Sequence, residues 1–150
     1  MQTNAYLYFD GNCEEAMTHY ERVLGGRMIA MLRATGTPAE AQMPPGWAEK
    51  ILHACLDVGG TTLMASDAPP NLPAGTPGGF SVNINTDTPE EAERVFAALL
   101  EGGEVRMPMA PTFWAQRFGM LVDRFGTPWM VNCVLPECTE AGAETAVPAA

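Results

Sequence analysis

Residues 12–26 and 88–103 carry the same punctuation about half a chain apart, and a duplicated unit restricts the possible folds more than any other feature here. Asn12 stands three positions before Glu15, and Thr88 three positions before Glu91. That spacing is a capping box, in which a side-chain oxygen and a carboxylate satisfy the free N–H groups that open a helix. Pro89 occupies the first helical position, where its missing N–H removes no bond. Each segment ends at a glycine pair, Gly25-Gly26 and Gly102-Gly103, suited to a left-handed cap. Apolar residues recur at helical spacing, Ala16, Tyr20, Val23 and Leu24 in one and Ala92, Val95, Phe96 and Leu99 in the other.

The surroundings of the two helices also repeat. Ala5 to Phe9 precedes the first as a strand, and Phe80 to Asn85 precedes the second with Phe80, Val82 and Ile84 alternating onto one face. Three β-like runs follow each helix: 27–33, 51–58 and 61–65 in the first half, 104–109, 117–123 and 129–134 in the second. Each half therefore reads strand, helix, strand, strand, strand. The expected class is α+β, with two βαβββ modules forming curved sheets around a groove. The two modules share one domain over residues 1–136: module one to about 67, a Pro/Gly-rich linker at 67–79, and module two at 80–136. Residues 137–150 lack apolar periodicity and are expected to form a flexible tail.

Composition narrows function by exclusion. Eight Lys and Arg against eighteen Asp and Glu leave a formal charge of −10, with none of the basic patches that displace counterions from nucleic acid. No apolar run approaches the ~18 residues that cross a bilayer, so no membrane partner is expected. The N-terminus has no basic region ahead of a hydrophobic stretch, which predicts a cytoplasmic protein. Cys13, Cys55, Cys133 and Cys138 match no zinc spacing and are expected as reduced thiols. Cys13 falls in the first turn of its helix, where the dipole favours a thiolate, although a small apolar filler is the commoner role.

Five segments carry a family resemblance: Tyr6 to Ala16, Lys50 to Ala54, Leu63 to Asp67, Thr112 to Met120 and Asp123 to Met130. Together with the duplicated module, they resemble the vicinal oxygen chelate superfamily of glyoxalase I, extradiol dioxygenases, and fosfomycin- and bleomycin-resistance proteins. The match is closer to its PhnB-like branch, sometimes labelled 3-demethylubiquinone methyltransferase-like. The resemblance implies a homodimer and a small-molecule groove. It also implies a divalent metal held from the first and last strands of each module. Alignment on the repeats puts those positions at Ala5, Met64, Ser81 and Met130, and a one-residue slip brings in Asn83 or Asn132. No such set suits a divalent ion, so neither metal nor other cofactor is expected.

Among residues that can carry chemistry, His53 leads. Alternation in 51–58 separates Leu52, Ala54, Leu56 and Val58 from His53, Cys55 and Asp57. If the apolar face packs under the helices, His53 faces the hollow, as a general base, as a hydrogen-bond donor, or as a satisfied core histidine. His19 is expected on a solvated helix surface. Ser81, Asn83 and Asn85 share a face and suggest a wet cavity or an ordinary half-exposed strand. Phe113, Trp114 and Trp129 form an aromatic set, with Arg117 beside Trp114, suited either to a planar or anionic ligand or to core and interface packing. Asp67 reads more simply as the start of a turn than as a pocket carboxylate. The leading function is metal-free binding of a small organic molecule, with or without catalysis. A divalent-metal lyase, isomerase or dioxygenase and a bleomycin-type drug-sequestering protein are the alternatives.

Overall fold

A computed structural model describes residues 1–136. The first unit runs β1 (Ala5–Phe9), α1 (Cys13–Leu24), β2 (Arg27–Arg33), a single 3-10 turn at Glu40–Gln42, β3 (Ile51–Val58) and β4 (Thr61–Asp67). The second runs β5 (Val82–Asn85), α2 (Pro89–Leu100), β6 (Glu104–Ala110), β7 (Ala115–Val122) and β8 (Pro128–Val134). The division between them falls after Pro77. Each unit has its own four-stranded sheet, ordered β1-β4-β3-β2 in one and β5-β8-β7-β6 in the other. The first strand of each lies parallel to the last, and the remaining pairs are antiparallel. The repeated βαβββ plan read from the sequence is thus the observed fold. The expected tail and Cys138 lie outside the described residues.

Each helix packs on one face of its own sheet. In the first unit Ala16, Met17, Tyr20 and Val23 of α1 are buried, as are Leu7, Phe9, Ala54, Leu56, Leu63 and Ala65 of the sheet. In the second, Ala92, Val95, Phe96 and Leu99 of α2 are buried, as are Leu121, Trp129, Val131 and Cys133. Removing these apolar surfaces from water is the main stabilisation of each unit, at about 25 cal/mol per Å². Gly119 belongs to this packing, because a Cβ there would lie 2.7 Å from Phe96 Cε2 and 2.6 Å from Met109 Sδ.

The helix caps differ where the sequence predicts them alike. Thr88 Oγ1 accepts from the N–H of Glu91 at 3.2 Å, as expected. Asn12 makes no side-chain cap bond; instead Asp67, at the far end of β4, accepts from the N–H of Cys13 at 2.9 Å. A distant carboxylate has replaced the local cap. Gly25 closes α1 at φ 67°, but α2 ends at Glu101 and leaves the left-handed conformation to Gly102. His19, expected in solvent, is buried, and its Nδ1 lies 3.0 Å from Arg22 Nη2. The buried stripe of α1 is wide enough to take it in. Among the described residues no helix is long and apolar enough to cross a membrane.

Candidate functional site

The helix covers one face of each sheet and leaves the other as the place where side chains can meet a ligand. In β1, Leu7 and Phe9 turn toward α1 while Tyr6 and Tyr8 turn away. In β3, Ala54 and Leu56 are buried beneath α1, and half-buried His53 and Cys55 take the open face. Register carries this face across the sheet: Tyr6 sits opposite Met64, Tyr8 opposite Ser66, Cys55 opposite Met64, and Leu32 opposite His53. Tyr6 Oη lies 3.1 Å from His53 Nδ1. The Tyr6 ring stands 5.2 Å from that of Tyr8 and 5.8 Å from the imidazole. Tyr8 is 58% exposed and Leu32 55%. The result is an accessible aromatic and aliphatic surface holding one imidazole.

The open face of the second sheet is built from different chemistry. Asn83 sits opposite Met130 and Asn85 opposite Asn132; Met120 and Phe118 extend the face into β7. Three carboxamides meet there. Asn85 Oδ1 accepts from Asn83 Nδ2 and from Asn132 Nδ2, each at 3.1 Å. Asn132 Oδ1 is buried without a partner. Turning all three amides over would only exchange that lone acceptor for a lone donor. Trp114 stacks edge-on against Phe118 at 5.3 Å and against Phe113 at 4.8 Å, and Phe113 is 90% exposed.

The expected site residues divide between the two faces. His53 and Asn83 lie on open faces, and Ser81 precedes β5 in the same alternation. Trp129 does not reach a surface: it is 1% exposed, and its indole N–H donates to Asp123 Oδ2 at 2.8 Å. Arg117 sits opposite buried Cys133, on the helix side, and its Nε donates to Glu93 of α2 at 2.8 Å. Alternation with Val131 and Cys133 already marks Trp129 as inward-facing, and that signal overrides its membership of an aromatic set. The sequence does not single out Tyr6 and Tyr8 for the open face, because every residue of β1 is apolar or aromatic and period two leaves no mark.

The metal implied by the resemblance can be tested against these positions. Ala5 shares the alternation of Leu7 and Phe9, so the open-face positions of the first and last strands of each unit are Tyr6, Tyr8, Met64, Ser66, Asn83, Asn85, Met130 and Asn132. Their donors are phenols, a hydroxyl, thioethers and neutral amides. Nothing there supplies the imidazole, thiolate or carboxylate charge that zinc, iron or manganese needs. Among the described residues no three His, Cys, Asp or Glu side chains come together to hold an ion. The residues do not fit the metal.

A charged cleft of about 300 Å³ lies at the start of α1, lined by Gly11, Glu14, Arg33, Glu49, Lys50, Ile51 and Asp67. Its charges are largely engaged. Arg33 pairs with Glu14, Lys50 Nζ donates to the carbonyl of Gly11 at 2.8 Å, and Asp67 also accepts from the N–H of Ile51 at 2.8 Å. Asp67, expected to start a turn, is instead a buried clamp joining α1 to β3. Cys13 beside it is not a thiolate: burial, then the charges of Asp67 and Glu14, push its thiol up from 9.0 to about 12.

This architecture defines the class of paired βαβββ proteins. Two glyoxalase/bleomycin resistance proteins, one a dioxygenase-family enzyme from Burkholderia phytofirmans and the other from Albidiferax ferrireducens, each 17% identical, share the fold at TM-score 0.60. Within that class the chain belongs to the family described as 3-demethylubiquinone-9 3-methyltransferase, whose model matches residues 2–132. It is 34% identical to Protein YjdN of Escherichia coli over 148 residues, covering 93% of this chain and all of that protein. Protein PA1353 from Pseudomonas aeruginosa is 50% identical, with a TM-score of 0.82 over 89% of this chain and 98% of its own. A PhnB protein from Bacillus cereus is 26% identical, with a TM-score of 0.73 over 89% of this chain and all of its own. These place the chain in the PhnB-like branch.

Proposed function

We propose that this PhnB-like protein binds a small organic molecule on the open faces of its sheets, without the metal used by other members of the superfamily. The observation that carries this reading is the first open face, where Tyr6, Tyr8, Leu32 and Met64 surround His53. An accessible aromatic surface with one hydrogen-bonding group suits a planar ligand, which apolar contact holds and the imidazole orients. The second face offers a different kind of grip, through the unpartnered Asn132 Oδ1 and the Trp114–Phe118 pair. A buried acceptor left without a donor costs stability and favours a ligand that supplies one.

The protein acts in the cytoplasm as a homodimer. Ile29 and Leu32 on edge strand β2 are exposed apolar side chains, and a second copy is the occupant this family resemblance favours. Catalysis would rest on His53. A metal-dependent lyase, isomerase or dioxygenase ranks lower because the donor set does not fit an ion. Drug sequestration of the bleomycin-resistance kind draws support from the charge of −10, which would steer a cationic drug inward.

Thermal shift against a library of planar small molecules, repeated with His53→Ala and Tyr8→Ala, tests the reading. Stabilising compounds whose effect is lost in both variants support it. Compounds that work equally well on both variants move the site elsewhere. Bleomycin alone as a stabiliser would favour sequestration, and elution at the ~16 kDa of one chain would contradict the dimer.

A further inference from the structure

Among the described residues, Tyr6 Oη and His53 Nδ1 have no hydrogen-bond partner but each other, at 3.1 Å. The bond has two possible polarities. Either the phenol donates to a bare Nδ1, or a protonated Nδ1 donates to the phenol oxygen. A phenol is the better donor, because its oxygen lone pair is drawn into the ring, while a pyridine-type imidazole nitrogen is a strong acceptor. Were Nδ1 to carry the proton, the Tyr6 O–H would find no acceptor among the described residues. Both considerations point the same way.

We propose that Tyr6 is a positioning residue that holds neutral His53 with its proton on Nε2, so that this face presents an N–H donor and takes a planar ligand through a carbonyl or carboxylate oxygen. The ligand class rests on the small-molecule reading above; the tautomer does not. The nitrogen that a base would need is occupied by the phenol, and the free nitrogen already carries its proton. His53 therefore orients and polarises an oxygen rather than abstracting a proton. Tyr8, with its ring 5.2 Å from that of Tyr6, and Leu32, opposite His53, supply the flat apolar surface beside that donor.

Long-range 1H–15N spectra of the imidazole rings, recorded above the ordinary histidine pKa of about 6.5, read the tautomer directly. The chain has two histidines, so His53→Gln assigns both signals. His19, whose Nδ1 faces Arg22, is an internal control for folding. The wild type should show His53 protonated at Nε2 and bare at Nδ1, and Tyr6→Phe should return it to a mixture with His19 unmoved. A proton on Nδ1, or a ring indifferent to Tyr6→Phe, overturns the proposal.

Benzoate and benzylamine then test the ligand class. Benzoate should shift His53 Nε2 and bind roughly fivefold more weakly to His53→Phe, as one lost hydrogen bond implies; benzylamine should do neither. A response to benzylamine alone, or benzoate leaving His53 unmoved while other small molecules stabilise the protein, overturns the acceptor class. If no small molecule binds at all, the binding reading and the ligand class fall together, while the tautomer result is decided by the spectra.

Discussion

Trp129 and Asp123 are joined across a buried turn: the indole N–H donates to one carboxylate oxygen at 2.8 Å, while the other oxygen accepts from the N–H groups of Phe125 and Thr127, each at 2.9 Å. One charged group thus organises both the turn between β7 and β8 and the largest side chain of the core. Asp123→Ala leaves these donors buried without it and should cost about 2–4 kcal/mol, measured by urea unfolding. Trp129→Phe keeps most of the apolar contact and should cost less than Asp123→Ala.

Cys13 titrates with a consequence for stability. Its folded pKa is raised from 9.0 to about 12, so the folded state keeps a proton that the unfolded chain releases near pH 9. The stability this contributes is whole below pH 9 and is lost as pH rises toward 12. Cys13→Ala should flatten that part of the pH profile. Iodoacetamide at pH 8, followed by peptide mass mapping, should label half-buried Cys55 well before Cys13.

Asp67 is the charge that both caps α1 and burdens the thiol. Asp67→Asn turns one acceptor into a donor facing a backbone N–H, at Cys13 or Ile51, and should cost about 1–3 kcal/mol. The same change should lower the Cys13 pKa, read as faster alkylation under native conditions. A variant that is destabilised with no gain in Cys13 labelling would contradict the electrostatic part of this account.

Gly119→Ala places a methyl group against Phe96 and Met109. Met109 can swing aside, but Phe96 is packed between α2 and the sheet, so the variant should lose about 1–3 kcal/mol in thermal or urea unfolding.

Asn132→Leu should behave in the opposite way. It removes the unpartnered buried oxygen while keeping similar volume, and Asn85 Oδ1 still accepts from Asn83. The melting temperature should hold or rise, as at sites where stability has been given up for binding. A clear fall would mean that the carboxamides serve the fold.

The parts of this molecule legible in its sequence are those fixed by short-range rules. The duplicated helices, the strand order within each half and the facing of His53 all follow from capping, glycine pairs and alternation among unlike residues. Legibility fails where the physics is long-range or the pattern is blank. Asp67 acts on Cys13 from 54 residues away, and no local spacing shows that. β1 has no charged or amide residue to reveal its faces, so alignment on the repeats marks Ala5, which lies on the helix side. Residue type groups Arg117 and Trp129 with Trp114, although alternation in β7 and β8 sends them to the helix side.

On the proposed function, the open faces hold an organic molecule and no ion. Native mass spectrometry of protein purified without chelators, with elemental analysis of the same sample, tests it most directly. The protein should carry an organic mass adduct, or gain one on adding a stabilising compound, diminished by His53→Ala and Tyr8→Ala and accompanied by no stoichiometric metal. One equivalent of a divalent metal lost in variants of the open-face residues, or a protein that gains no organic adduct under any of these conditions, would contradict it.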